Sequence, residues 1–562
     1  MQTKTYSLFT RLRQRSAGVQ NWQRIRRLAQ QVALYAPVPP PGVRPVVVFN
    51  ATARLSGLSL NAAYSLLTSW SLRLAGMPVV HVVCRAGMSH CVLGTNRRDH
   101  TQPPPCKACI AQSRRLFGRA EVRWLDYRPH PGLATAISTL GVDELSKFEY
   151  PLWASLAGVR DGAGASVNIP LGRLVLSSLR WALRRYSLPD DQPTRYLLRE
   201  YLVSAYNIAR EFDSLLEALQ PQAVLIFNGT LYPEAAARWI ALQRRQRVIT
   251  HEVGFQRFSA FFTQGEATAY PVHIPVGFEL STEQEARLDA YLEERFQGKF
   301  TMAGIRFWPE MRSLEASFLE KAARFRQVVA VFTNVIYDTS QVHANTTFPH
   351  MFAWLEQVLE LIRSHPETLF VIRAHPDEMR PGTAKQSNET VGDWLRQRQA
   401  DLLPNVEYID SRQYISSYDL VRRSKFLMVY NSSIGLEASL MGAAVVCGGK
   451  ARYTQLPTVF FPPSSEEHRR MIEEFLQAED ILLPTELQAN ARRFLYFQLF
   501  RASLPFDRYL EDGPRPGYVR LRDFSWRDLL AQNSPVLQVI LAGIRDGKPF
   551  LMDEAHERSL QG

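Results

Sequence analysis

Residues 370–380 read FVIRAHPDEMR and residues 424–449 read SKFLMVYNSSIGLEASLMGAAVVCGG. Each contains an apolar run that ends on a short polar signal: Arg373-Ala374-His375-Pro376 in the first, Asn431-Ser432-Ser433 in the second. Runs of this length and composition fit strands buried on both faces of a parallel sheet. Upstream, VVAVFTNVIYD (328–338) ends the same way at Thr333-Asn334. FAWLEQVLELIRSHP is a helix closed by proline, and VEYIDS and AAVVCGG are further strands. This alternation, sustained over about 120 residues, predicts a doubly wound α/β domain.

Nearer the N-terminus the pattern recurs. VVVFNA (46–51), a helical stretch to Leu74 after Ser56-Gly57, and VVHVVC (79–84) give strand, helix and strand, the opening of a second doubly wound domain. A full G-x-G-x-x-G is missing, so no dinucleotide site is implied. AVLIFNGT (223–230), a helix beginning near Glu234, and RVITHEVGF (247–255) continue the series. A crossover between them sets Asn228 and Glu252 at neighbouring strand ends on one rim. The expected architecture is α/β, two Rossmann-type domains facing across a cleft, with helical N- and C-terminal extensions. Its divisions are a basic helical segment and Pro-rich linker (1–45), a first Rossmann-like domain (46–280) with a helical insertion (135–220), a helical linker (281–325), a second Rossmann-like domain (326–465) and a helical tail (466–562).

A chain of 562 residues, 46% hydrophobic and 21% charged, has the composition of a globular protein of two to four domains. No apolar stretch reaches the length of a membrane span, and no signal-peptide core opens the chain. The expected location is the cytoplasm. Of the net charge of +12, part is concentrated at the front: Lys4, Arg11, Arg13, Arg15, Arg24, Arg26 and Arg27, with no acid before residue 35. Leu8, Phe9, Leu12, Trp22, Ile25 and Leu28 are interleaved with them. Such a segment can rest on the inner face of an anionic membrane, or pack on the body through its apolar side. No nucleic-acid motif follows it, so nucleic acid is not an expected partner.

Four of the five cysteines fall between residues 84 and 109: Cys84, Cys91, Cys106 and Cys109, the last two as C-x-x-C. Clustering of this kind in a reducing compartment favours metal or redox chemistry over disulfides. Four thiolates suit a structural zinc ion or an iron–sulfur cluster. The spacing matches no standard finger, and the alternative is a set of thiols that binds nothing.

The chemistry of the opening stretch points to a nucleotide. Ligands of open parallel sheets bind outside the carboxyl ends of the strands, and a helix N-terminus favours phosphate. Departure of a nucleotide from an activated sugar needs positive potential or hydrogen-bond donors at its phosphate. Arg373 and His375 can supply these from a strand end, Ser432 and Ser433 can donate hydroxyls and cap the following helix, and Glu437, one turn in, can accept ribose hydroxyls. Asn228, Thr333, Asn334 and Asn431 complete the donor site. Glu252 is the candidate general base, or a charge that stabilises a developing cation. No Asp-x-Asp pair is placed to clamp a metal diphosphate, which implies catalysis without a required cofactor.

Together, FNGT (227–230), THEVG (250–254), RAHP (373–376) and YNSSIGLEASLMGAAVV (430–446) resemble the capsule polysaccharide biosynthesis family. This is a group of bacterial glycosyltransferases of two-Rossmann GT-B type, similar in pattern to Kdo transferases and HP-motif sialyltransferases. The resemblance implies that His375, Ser432 and Ser433 contact the phosphate of a cytidine nucleotide and that Glu252 is the catalytic acid–base, although the acidic motif here reads His-Glu-Val-Gly rather than two acids before glycine. The implied function is transfer of a sugar from a nucleotide-activated donor, for instance CMP-linked, to a cell-surface polysaccharide or glycolipid. The alternatives are a teichoic-acid-type polyol-phosphate transferase, a nucleotide-sugar epimerase and a non-catalytic metal-bearing scaffold of a polysaccharide assembly machine.

Overall fold

The structure is a computed structural model that describes residues 8–52, 57–152, 167–297, 301–302, 305–306, 312–379, 386–514 and 517–553. Lys4 and Ser56 lie outside the described residues, as do the side chains of Leu8, Phe9, Arg11, Leu12, Arg13 and Arg15.

The chain opens with helix α1 (Leu8–Tyr35), then strand β1 (Val46–Asn50), α2 (Leu60–Leu74) and β2 (Val79–Cys84). Helix α3 (Cys106–Phe117) leads to β3 (Glu121–Leu125). Helices α4 (Leu171–Leu183) and α5 (Gln192–Leu219) precede β4 (Ala223–Phe227). Then come α6 (Glu234–Gln243), β5 (Val248–Val253) and β6 (Ser259–Thr263). These strands form a sheet of order β6-β5-β4-β1-β2-β3, parallel except for β6. Alternation along β1 divides the core: Val46 and Val48 face one apolar cluster, Val47 and Phe49 the other, as a strand buried on both faces requires.

The sequence reading takes residues 135–220 as a helical insertion or a layer around the sheet. The structure makes α5 part of the crossover that returns the chain from the edge strand β3 to central β4, its buried stripe from Leu197 to Leu216 covering one face of the sheet. A parallel sheet needs such a covering layer.

Helix α7 (Thr282–Phe296) follows. It packs Leu288 and Leu292 into the core of the second sheet, so the expected linker is in part a layer of that domain. The second sheet contains β7 (Gln327–Phe332), β8 (Thr368–Arg373), β9 (Val406–Ile409), β10 (Phe426–Val429) and β11 (Val445–Cys447). All are parallel, in the order β9-β8-β7-β10-β11. Helices α8 (Met351–Ser364) and α9 (Ile434–Leu440) pack on opposite faces. In both sheets the winding reverses beside the first strand, between β1 and β4 and between β7 and β10. Adjacent crossovers leave to opposite faces there and open a crevice above the strand ends.

Residues 466–562, expected as a helical tail, also contain short strands. Helix α10 (Thr485–Tyr496) packs Ala491, Phe494 and Leu495 on the second sheet. The chain then crosses back, adds β12 (Leu504–Pro505) to the free edge of β6, forms short strands at 510–512 and 518–521, and ends in α11 (Pro535–Asp546) on the first core. Helix α1 buries Ile25, Leu28 and Val32 there. Its Arg24 and Arg27 pair with Glu511 and Asp523 of the returning segment. Among the described residues no helix is long and apolar enough to cross a membrane.

Candidate functional site

The rims of the two sheets enclose a cleft of about 740 Å³. From the first domain Glu252, Val253, Gly254 and Phe255 line it, just beyond β5. From the second come Thr333 and Asn334 after β7, His375 and Pro376 after β8, and Asn431, Ser432 and Ser433 after β10. A hydrogen-bond chain ties the halves beside it: Thr230 to Thr268 at 2.7 Å, and Thr268 to Nε2 of His343 at 2.8 Å.

Glu252 is held firmly. Oε1 accepts from Nδ2 of Asn61 and from the backbone N–H of Val253, both at 2.9 Å, and Oε2 accepts from Nδ2 of Asn228 at 2.8 Å. Hydrogen bonds of this kind favour the ionised form of a carboxylate. Asn228, expected at the donor, does not line the cleft. It is buried, with φ of 62°, a left-handed conformation that asparagine tolerates. Its Oδ1 accepts from the N–H groups of Thr230 and Leu231 at 3.0 and 3.3 Å, so it orients Glu252.

On the opposite wall the backbone N–H of Asp377 donates to Nδ1 of His375 at 3.1 Å, which puts the proton of the neutral imidazole on Nε2. Ser432 and Ser433 line the cleft. Ser433 occupies the N-cap position of α9 without a side-chain cap, contrary to the expected capping role. Among the described residues neither hydroxyl has an intramolecular hydrogen-bond partner, which leaves both available to a guest.

Other expected ligands also line the cleft and are held there by neighbouring groups. Arg373 is 2% exposed. It donates through Nε to Oγ of Ser417 at 3.2 Å and through Nη2 to the carbonyl of Ile415 at 2.8 Å, and burial pushes its pKa down to about 10. Strand β8 ends at Arg373, so the alternation that would align it with His375 does not extend that far. Asn431 accepts from Nε2 of Gln341 at 3.1 Å and donates its backbone N–H to Oδ1 of Asn334 at 3.3 Å. Oγ1 of Thr333 donates to the carbonyl of Arg373 at 3.0 Å. Glu437, expected at the ribose, accepts from Nη2 of Arg295 at 2.5 Å and from the hydroxyl of Tyr418 at 2.6 Å. These bonds join α7 to α9 and fix the floor of the cleft.

The sequence reading misses the cations that line the cleft after β11. Lys450 follows Gly448-Gly449, and its ammonium forms no ion pair with another described residue while lining the cleft. A Cβ on Gly448 would stand 2.4 Å from the Trp354 indole, so only glycine lets the chain turn there and deliver Lys450. Arg452 lies 4.6 Å from the Phe255 ring centroid across the cleft, a cation–π contact between the two domains. The signal was present as Gly-Gly-Lys directly after the last strand, where glycine needed for packing and a lysine at a rim read as one feature.

A family model described as capsule polysaccharide biosynthesis protein matches residues 305–456, which take in all of β7 to β11. The chain is similar to that family over these residues. Among solved structures, the beta Kdo 2,4 transferase KpsC of Thermosulfurimonas dismutans is 12% identical, over 54% of this chain and 84% of that one, with a TM-score of 0.33. The beta Kdo 2,7 transferase KpsC of the same organism is 14% identical over 56% and 85%, with a TM-score of 0.30. The UDP-GlcNAc 2-epimerase of Neisseria meningitidis, solved with UDP-GlcNAc, is 14% identical over 79% and 93%, with a TM-score of 0.23. No curated protein sequence matches the chain. The matched residues include the serine pair, His375 and Lys450, while Glu252 lies outside them.

Proposed function

We propose that the chain is a glycosyltransferase that moves a sugar from a nucleotide-activated donor to a glycan or glycolipid acceptor. One observation carries the reading. At the reversal point of the second sheet, Ser432, Ser433, His375 and Lys450 line the same cleft as Glu252, a carboxylate held by three donors. A phosphate leaving group and an acceptor hydroxyl need these two kinds of wall.

In this reading the acceptor oxygen bonds to the anomeric carbon as the bond from that carbon to the phosphate oxygen breaks. The acceptor proton passes to Glu252, and the electron pair leaves with the nucleotide. Lys450, His375 and the serine hydroxyls meet the charge that grows on the phosphate, and pre-placed donors of this kind act most strongly where water is excluded. With that positive potential supplied by side chains, transfer should proceed in the presence of a chelator.

The test is incubation with CMP-, UDP- and GDP-linked sugars and a lipid-linked glycan acceptor, followed by analysis of nucleotide and product. Acceptor-dependent nucleotide release with a new glycosidic bond is expected, and Ser432→Ala/Ser433→Ala should abolish it. A phosphodiester product, a sugar isomer formed without acceptor, or no turnover of any donor would overturn the proposal.

A further inference from the structure

The cysteines of the first domain have no part in the cleft, yet the fold brings them to one place. Cys84 ends β2, Cys91 sits in the loop that follows, and Cys106 and Cys109 occupy the first turn of α3, three residues apart and so on one face of it. None of the four is in a disulfide. All four line a single small cavity at the carboxyl edge of the first sheet, closed by Ala51, Met88, Leu93, Pro104 and Ile110, and its lining contains no acidic or basic side chain. The charge that Cys106 or Cys109 would carry is felt at both Cys84 and Cys91, which puts the four sulfurs within interaction range.

Two of the thiols sit in turns whose backbone is built around sulfur. In Cys84-Arg85-Ala86-Gly87 the N–H of Gly87 donates to Sγ of Cys84 at 3.2 Å, and the N–H of Ala86 points to it as well. Ala86 adopts φ of 55° to allow this, a left-handed conformation that costs an alanine free energy. Cys91-Val92-Leu93-Gly94 repeats the spacing, and the N–H of Gly94 is directed at Cys91. A Cβ on Gly94 would stand 2.6 Å from Pro104 and 3.0 Å from Sγ of Cys91, so the second turn is pressed against the segment that delivers Cys106. Orienting hydrogen bonds to ligand atoms are a regular part of metal sites.

We infer that Cys84, Cys91, Cys106 and Cys109 form a four-thiolate site for one zinc ion. Among the described residues no three ligands already stand as a formed metal-binding group, so binding requires the thiols to close in from the walls of the cavity. The displaced thiol protons go to water. The cavity, about 30 Å³, has room for one atom-sized guest and is too confined for a four-iron cube unless its walls move apart. Four thiolates leave no open coordination position, so the role is structural. The ion clamps the 85–105 loop and the start of α3 to the end of β2, beside Thr52 and the reversal point of the first sheet.

The experiment uses the full chain purified without chelator. Elemental analysis should find one zinc per chain, and Cys106→Ser/Cys109→Ser should lose it. Replacement by Co(II) should give the visible d–d bands and thiolate charge-transfer absorption of a tetrahedral four-sulfur site. Should the double variant fail to fold, the stoichiometry and the cobalt spectrum of the unaltered chain still decide. Metal-free protein that takes up no cobalt, an iron–sulfur chromophore, or a disulfide within the set would each overturn the inference. Nucleotide binding in the cleft is measured separately, so either proposal can fail alone.

Discussion

Replacing His375 by alanine removes one N–H donor from the cleft wall and one acceptor from the partly buried N–H of Asp377. The second loss is local. The freed N–H lies at the cleft edge where water can reach it, so stability should fall by about 0.5–1.5 kcal/mol, the net worth of an ordinary hydrogen bond. The first loss acts on the reaction. A pre-placed donor to charge that grows in the transition state is worth about 10²–10³ in kcat, or roughly 2.7–4 kcal/mol. Ground-state binding should change less, because Ser432, Ser433 and Lys450 still hold the phosphate. The assay pairs initial rates of nucleotide release at varied donor concentration with thermal unfolding. The expected result is a fall in kcat of about 10²–10³ with a nearly unchanged KM and melting temperature. Turnover in His375→Ala equal to that of the unaltered chain would refute the reasoning, since the only donor this residue can offer is the one removed.

Other outcomes follow from the same contacts. Asn228→Gly keeps the left-handed backbone and deletes the bond to Glu252. Stability should drop by about 1.5–3 kcal/mol, the range for hydrogen bonds to charged groups, and kcat should fall while calorimetry finds unchanged nucleotide affinity. Lys450→Met removes a cation that forms no ion pair among the described residues and should weaken nucleotide diphosphates by about tenfold, roughly 1.4 kcal/mol, with a shallower salt dependence of binding. Burial pushes the carboxyls of Glu234 and Glu378 up from 4.5 to about 7 and about 8, with Asp410 and Asp393 adding to the second. The folded chain keeps these protons where the unfolded chain has lost them, so their contribution to stability should decline from about pH 4.5 and level off near pH 8, each group contributing a slope of about 1.4 kcal/mol per pH unit inside its own window. His81 and His251 are pushed down by burial to about 3. Their contribution is fully present above pH 6.5 and lost as pH falls through 3, which offsets the carboxyl decline between pH 4.5 and 6.5, so denaturant titrations should find stability rising up to about pH 4.5 and falling between about pH 6.5 and 8.

The sheets were legible because their strands announce themselves. VVAVF, FVIR and FLMV are apolar on both faces, and each ends on a polar residue that the fold puts at a rim. The rim itself was less legible, since a strand end names the residues that reach the cleft and not the partners they find. Arg373, Asn431 and Glu437 have the chemistry of ligands, yet Ile415, Gln341 and Arg295 take them up, and those partners come from loops and a helix distant in sequence. Asn228 was seen beside Glu252 correctly, but as a ligand rather than a support. The returning segment could not be read as strand because Leu504–Pro505 and 510–512 are too short to carry a period, and their conformation comes from pairing with β6 and with residues 518–521. The cysteines were grouped from spacing alone, while the backbone turns around Cys84 and Cys91 needed coordinates.

The central claim is that the second sheet holds a nucleotide at Ser432, Ser433, His375 and Lys450. Calorimetric titration of the full chain with CMP, CDP, UDP and GDP tests it most directly. Saturable binding of at least one of these, lost in Ser432→Ala/Ser433→Ala and retained in Glu252→Gln, is the expected result. Absence of binding by all four, or binding that the serine double variant leaves intact, would contradict it.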